Sequence, residues 1–421
     1  MRTGFTPLGT GKFFLFIAVL ALLGCGGSDS TESDSTETGH GESSPSTAEQ
    51  FGLPDTLETL DYKVETDVVT EDLTQPWAID FLGPDTALVT EQPGRLRLVV
   101  DGELQPDSVR GTPEVHYSGQ GGLLDVAPDP NYEDNGWVYL TYAHALEPPR
   151  DTLSMTRVVR GRIQDGAWQD QQVLFEAPPN TYRKGDIQYG SRIAFGPEGR
   201  LYFSIGDRAA WPVDTTTVFA QHLDRPGGKV YRLNRDGSVP RDNPFVGRDE
   251  ALPSIYSYGH RNPQGLDVHP ETGTLWATEH GPRGGDELNR LQRGANYGWP
   301  TITYGINYTG EIITPKRRAE EMKQPVFFWR PSIATSGFSF YTGEQFPYWQ
   351  NQGLVSSLKN QSVRLLTIGE GRVMHQEIIL RGAGRVREAV PGPDGAIYLV
   401  LNAPSRLVRL SHAADFTSRE N

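Results

Sequence analysis

Cysteine is nearly absent: the 421-residue chain has one, Cys25. A single thiol excludes a disulfide framework and any zinc or iron–sulfur site built on several cysteines. Positive charge is also scarce, with 39 Lys and Arg against 53 Asp and Glu and a net charge of −14. Without a leader that carries Arg2 and Lys12, the balance is 37 against 53, or −16. Such acidity argues against a protein that tracks nucleic-acid phosphates, which needs a clustered positive surface. No Walker or dinucleotide fingerprint occurs, and no window sustains a helical period. The chain is instead rich in turn formers and core formers: 47 Gly, 31 Pro, 36% apolar residues and 10% aromatics. That is too apolar for a disordered chain and too rich in turns for long helices, but it suits one large all-β unit.

The ends differ from the middle. Residues 1–25 read as an export signal, since Arg2 and Lys12 precede the apolar run from Phe13 to Leu23, which is too short to span a bilayer. The run closes on Leu22-Leu23-Gly24-Cys25, which resembles the bacterial lipoprotein cleavage box. In such signals the cysteine is lipidated and becomes the mature N-terminus. Residues 26–59 are predicted to be an acidic, Ser/Thr-rich tether, because residues 26–50 contain one alanine and no larger aliphatic side chain to offset conformational entropy. The expected location is a bacterial membrane, reached through the lipid anchor, with the folded part in the periplasm or outside the cell. Residues 413–421 read as a flexible tail.

Between the ends, one pattern recurs: an apolar strand, a turn of the Pro-Asp/Glu-Gly kind, then a strand rich in aliphatics and aromatics. Its cleanest copy runs from Ile193 to Asp207. Others start at Ile79, Leu266 and Glu388, and looser ones at Leu124 and Gly337. Proline fixes φ and glycine accepts positive φ, so each turn fits a hairpin. Six copies at intervals of roughly 45 to 73 residues predict a six-bladed β-propeller over residues 60–412. Function then belongs at one mouth of the central channel.

Three insertions carry the chemistry. Tyr258-Gly-His-Arg-Asn-Pro-Gln-Gly265 is either a plain turn before a strand or a mount for Arg261, whose planar guanidinium can face an oxyanion or a quinone carbonyl. Glu279-His-Gly-Pro-Arg-Gly-Gly-Asp-Glu287 is either a solvated loop or a source of main-chain and carboxylate oxygens suited to Ca²⁺. Arg385-Val-Arg387 places two arginines on one face of a strand. With Lys359 they form either a solvated edge or a cradle for a multiply carboxylated ligand.

These motifs, together with Pro76-Trp-Ala, Gly119-Gln-Gly-Gly-Leu-Leu124, Gly227-Gly-Lys-Val-Tyr-Arg-Leu-Asn234 and Asn296-Tyr-Gly-Trp-Pro300, resemble the soluble pyrroloquinoline quinone (PQQ)-dependent sugar dehydrogenases over about residues 70–411. The bacterial aldose sugar dehydrogenase branch of the glucose/sorbosone type is the most similar. The resemblance implies a six-bladed propeller that oxidises the anomeric carbon of an aldose by hydride transfer to PQQ and passes the electrons to an external acceptor. It implies that Arg261 and Asn262 bind the quinone, that Lys359, Arg385 and Arg387 pair with its carboxylates, and that Trp329 lies over its rings. It further implies that the carbonyls of Gly281 and Pro282 hold Ca²⁺, that Glu287 and Tyr297 make further calcium contacts, and that Gln120 contacts the sugar.

One position departs from the pattern. The family's general base is a histidine just before the Gly-Ser-Arg of the third blade, and here that residue is Gln188. A neutral amide cannot take a proton, and loss of a general base typically costs a factor of about 10² to 10⁴. Asp186, Tyr189 or a water held by Gln188 are the candidate substitutes. Two other readings stay open: a propeller that binds quinone or sugar without efficient turnover, and a calcium-dependent sugar lactone hydrolase. The second has no use for Arg385 and Arg387.

Overall fold

In a computed structural model of the chain, the described residues are 52–148, 150–208, 213 and 219–413. The leader, Cys25 and most of the tether therefore lie outside them, as do residues 414–421. Six antiparallel sheets follow one another along the chain, and the only α-helix among the described residues is the single turn Tyr132–Asn135. The six repeats map onto the first two strands of the six sheets. These pairs are Pro76–Gly83 with Thr86–Glu91, Leu123–Pro128 with Trp137–Ala145, Ile193–Phe195 with Leu201–Ile205, Pro263–Val268 with Leu275–Glu279, Thr335–Phe340 with Gly353–Ser357, and Arg385–Pro391 with Ile397–Ala403. The chain is a six-bladed β-propeller.

Its last blade is closed by the beginning of the chain. Lys63–Thr70 pairs with Ser405–His412, setting Val64 opposite His412. Outside it lies Thr56–Glu58, paired with Lys63–Thr70. Composition assigned residues 56–58 to the tether. They form a strand because Leu53 and Leu57 have apolar surface to cover and pack against the cluster of Tyr62, Trp349 and Leu410.

Packing between blades supplies the core. Trp276, Phe338, Phe340 and Val355 fill the space between the fourth and fifth blades, and Trp77, Leu88, Val126 and Leu140 that between the first and second. Burying each such side chain stabilises the fold by about 1.5–3 kcal/mol. Polar stitches set the spacing. Innermost strands carry acids that accept a main-chain N–H of the next blade: Asp125 from Ile193 at 2.6 Å, Asp267 from Phe340 at 2.7 Å and Glu388 from Ile79 at 2.8 Å. Arg192 joins three blades, since its guanidinium bonds Asp125 at 2.9 Å, the Gln264 carbonyl at 2.8 Å and Glu388.

Candidate active site

One end of the channel opens into a cavity of about 330 Å³. Its walls come from five blades and the connection into the third: Trp77, Gln120, Tyr189, Asn262, Gln264, His280, Lys359, Arg385 and Arg387 all face it. Among the described residues, no carboxylate lines it. Five of the expected site residues, Gln120, Asn262, Lys359, Arg385 and Arg387, therefore meet in one place although they are spread over 268 positions of sequence.

The cations are poorly compensated. Arg387 donates to Gln264 Oε1 at 2.9 Å, while its buried Nε has no partner. Burial, then the neighbouring charges of Arg385 and Arg192, pull its pKa down to about 9. Arg385 and Lys359 are exposed at the rim. A half-buried guanidinium with an enclosed, unpartnered Nε and no acid partner is costly, and a multiply carboxylated ligand removes that cost.

Arg261 is fixed from behind. Its main-chain N donates to Glu279 at 2.5 Å, its guanidinium reaches the His280 carbonyl and the Trp299 ring, and Glu279 also binds His260 Nδ1 at 2.9 Å. His260 in turn meets Ser257 at 2.8 Å and stacks on Tyr297. The two motifs Gly-His-Arg-Asn and Glu-His-Gly-Pro are thus one buried hydrogen-bonded unit. Asn262 accepts from Gly190 N at 3.0 Å, tying that unit to the third blade.

Gln188 has φ +59° and sits just behind the wall formed by Tyr189 and Gly190. With Nε2 donating to Asp207, its Oε1 accepts from Arg261 Nη2 at 2.9 Å. Its main-chain N donates to Gln120 Oε1 at 2.8 Å. Asp207 is buried and accepts from Trp299 Nε1 at 2.5 Å. The segment is stapled by Arg208, which donates to the carbonyls of Gly185 at 2.6 Å and of Ile187, and lies 3.6 Å from the Tyr189 ring centroid. Tyr189 is no base, because burial raises its pKa and its hydroxyl pairs with Ser154 at 2.7 Å.

The calcium expectation rests on main-chain oxygens. The carbonyls of buried Gly281 and Pro282 accept no hydrogen bond among the described residues, which is unusual for buried carbonyls and leaves them free for a hard cation. The loop folds so tightly that a Cβ on Gly281 would stand 2.3 Å from the Gly285 oxygen. Asp286 is fully used, accepting from Gly281 N and Ile333 N at 2.9 Å each and from Ser332 Oγ at 2.8 Å. Glu287 is held only by Asn289 at 3.1 Å, and burial first, then Glu279, pushes its pKa up to about 8. A cation beside Glu287 would relieve that burial. The Tyr297 hydroxyl donates to the Arg290 carbonyl at 2.7 Å and accepts from Gln292 N, so only the Tyr297 carbonyl is left for a metal.

Trp329 is corrected. It lies in the strand Phe327–Trp329, is 5% exposed, packs against Trp276 and Leu288, and donates Nε1 to Gln376 at 2.7 Å. It belongs to the core between blades and does not line the cavity. The tryptophan at the cavity wall is Trp77, whose ring centre is 4.2 Å from the Arg192 guanidinium and 5.5 Å from that of Arg387. Trp77, Gln264, His280 and Asp207 were missed. Trp77 and His280 stand inside the recognised motifs Pro-Trp-Ala and Glu-His-Gly-Pro, which is the signal that could have found them. Accordingly, Trp329→Phe should leave PQQ affinity within about threefold of the parent while lowering the melting temperature. A PQQ titration followed by absorbance checks this.

This arrangement has counterparts. Residues 73–409 match the model of the family described as glucose/sorbosone dehydrogenase. The chain belongs to that family. Its relatives include aldose sugar dehydrogenase YliI of Escherichia coli, 37% identical over 81% of this chain and 91% of the relative. Quinoprotein glucose dehydrogenase B of Acinetobacter calcoaceticus is 31% identical over 72% of this chain and 66% of its own length. Among solved structures, the PQQ-bound form of aldose sugar dehydrogenase from Streptomyces coelicolor superposes with a TM-score of 0.67 at 26% identity, covering 83% of this chain and 98% of that one. Family membership fits the cavity: three cations and no acid suit an anionic quinone.

Proposed function

We propose that this glucose/sorbosone dehydrogenase family member is a PQQ- and Ca²⁺-dependent oxidoreductase that oxidises the anomeric carbon of aldose sugars. The observation that carries the reading is the acid-free cavity where Lys359, Arg385 and Arg387 converge beside Asn262 and Gln120. In this reading the three cations bind the quinone carboxylates, Asn262 and Arg261 hold its carbonyl edge, and Trp77 takes the place expected of Trp329. The carbonyls of Gly281 and Pro282 hold Ca²⁺, with Glu287 and the Tyr297 carbonyl as further oxygen donors. PQQ bound there would supply the quinone that takes up a hydride. Gln120 orients the sugar, and an external acceptor takes the electrons afterwards. Cys25 carries the lipid that keeps the propeller at a membrane.

A second reading draws on Gln188: with an amide at the base position, the propeller binds its ligands without efficient turnover. The absorption spectrum of protein loaded with PQQ and Ca²⁺, before and after adding an aldose, separates the two. Reduction of the quinone supports the enzyme. Binding without reduction supports the second reading, and no binding overturns both.

A further inference from the structure

Beside Gln120, which lines the cavity, a histidine and a carboxylate form a pair that no motif announced. His116 Nε2 lies 3.1 Å from Asp186 Oδ1, and Ser118 Oγ donates to Asp186 Oδ2 at 2.6 Å. The hydrogen bond from Ser118, followed by His116, holds the Asp186 carboxyl below its ordinary range. An ionised carboxylate on Nε2 selects the tautomer with the proton there, leaving Nδ1 with a lone pair. Nδ1 makes no hydrogen bond among the described residues. Both side chains reach solvent, being 20% and 36% exposed.

The pair is joined directly to the site. Gln120 N donates to the Asp186 carbonyl at 2.7 Å, and Gln120 Oε1 accepts from Gln188 N at 2.8 Å. His116, Asp186, Gln120 and Gln188 are thus successive members of one hydrogen-bonded chain that passes through the cavity wall at Gln120. The loop bearing His116 is locked, with His116 N on the Ala143 carbonyl at 2.8 Å and Gln92 Nε2 on the carbonyls of Gly119 and Gly121 at 2.9 and 2.8 Å. His144, in the second blade, is committed elsewhere: its Nδ1 meets Tyr182 at 2.8 Å, and burial lowers its pKa to about 4.

We infer that His116, oriented by Asp186, is the general base that this chain uses in place of the family's histidine at position 188. The inference rests on the proposed dehydrogenase reading. As the sugar reacts, its anomeric O–H bond breaks with the proton passing to His116 Nδ1, its C1–H bond breaks with the electron pair leaving as hydride to the quinone oxidant, and the C1–O1 double bond of the lactone forms. Asp186 stays ionised and stabilises the imidazolium, so it is a positioning residue.

The test uses His116→Gln, which keeps a donor for Asp186, and the double variant His116→Gln, Gln188→His. Loss of a general base lowers kcat by about 10²-fold or more, while PQQ affinity, read by absorbance, should stay within about threefold. The double variant should recover at least tenfold, because Asp207 already stands where it can orient an imidazole at 188. Independently of turnover, ¹⁵N NMR of the PQQ-free protein should report the His116 proton on Nε2, with its Nδ1 resonance shifting when aldose is added.

Three outcomes overturn the inference. Parent-like kcat in His116→Gln places the base elsewhere and leaves the dehydrogenase reading standing. A proton on Nδ1 removes the lone pair. A parent protein that binds PQQ and never reduces it removes the dehydrogenase reading and the base together.

Discussion

Arg387→Met should weaken PQQ binding roughly 10²- to 10³-fold and, in the same protein, raise the melting temperature without ligand. Truncating one partner of a buried charged pair typically costs about 2–5 kcal/mol, and each 1.4 kcal/mol is about tenfold in affinity. In the free protein the same guanidinium is a burden, half-buried with its Nε enclosed and unpartnered and its pKa drawn down to about 9. An apolar side chain of similar length removes that burden, and replacing buried ions in this way is often neutral or stabilising by about 1–4 kcal/mol. The two halves are measured separately, by PQQ titration at saturating Ca²⁺ and by thermal melts of the PQQ-free protein. A variant that loses stability and keeps its affinity would show that Arg387 is a structural cation and not part of a ligand cradle.

Arg192→Met is expected to act in the opposite sense. Arg192 is 3% exposed, and without it Asp125 and Glu388 remain buried with no cation. Removing one member of such a network typically costs about 3–5 kcal/mol. The loss should also depend on pH. Burial pushes Glu388 up to about 8 and raises Asp125, and in both the Arg192 charge opposes the rise. A carboxyl that holds its proton more tightly folded than unfolded loses stability as pH climbs from its unfolded value, about 4.3 for Glu, toward its folded one. Without Arg192 these carboxyls hold their protons still more tightly. The deficit measured by urea unfolding should therefore be larger at pH 8 than at pH 5. Equal deficits at the two values would mean that Asp125 and Glu388 stay ionised in the variant.

The contrast between these two arginines shows what could be read from the sequence. Blades announce themselves locally, because a proline and a glycine between two apolar runs specify a hairpin wherever they occur, as at Gly196 to Arg200. The motifs singled out Lys359, Arg385 and Arg387 together, and all three line the one cavity. Orientation within a blade was not legible. Phe327, Phe328 and Trp329 are chemically alike, and only the pairing of their strand with Asp286–Arg290 decides that Trp329 enters the core while Phe328 stays 40% exposed. Nor does Arg192, in a Gly-Ser-Arg that reads as part of a catalytic signature, reveal that its partners are 67 and 196 positions away. His116 lies 70 positions from Asp186, with no spacing rule to connect them. Contacts made by closing a ring have no local trace.

The closure itself has a further consequence. Ala413 N donates to the Lys63 carbonyl at 3.0 Å, so the two ends of the ring are hydrogen-bonded neighbours in one blade. Topologically the propeller is then a circle cut at one seam. Joining residues 63 and 413 through a short flexible linker and opening the chain at an outer turn, such as Asp101-Gly102 of the first blade, relocates the seam without changing any innermost strand. A circularly permuted propeller of this kind carries its new termini on the outer rim of another blade. Reporter domains or surface attachments could then be placed at a chosen angle around the channel.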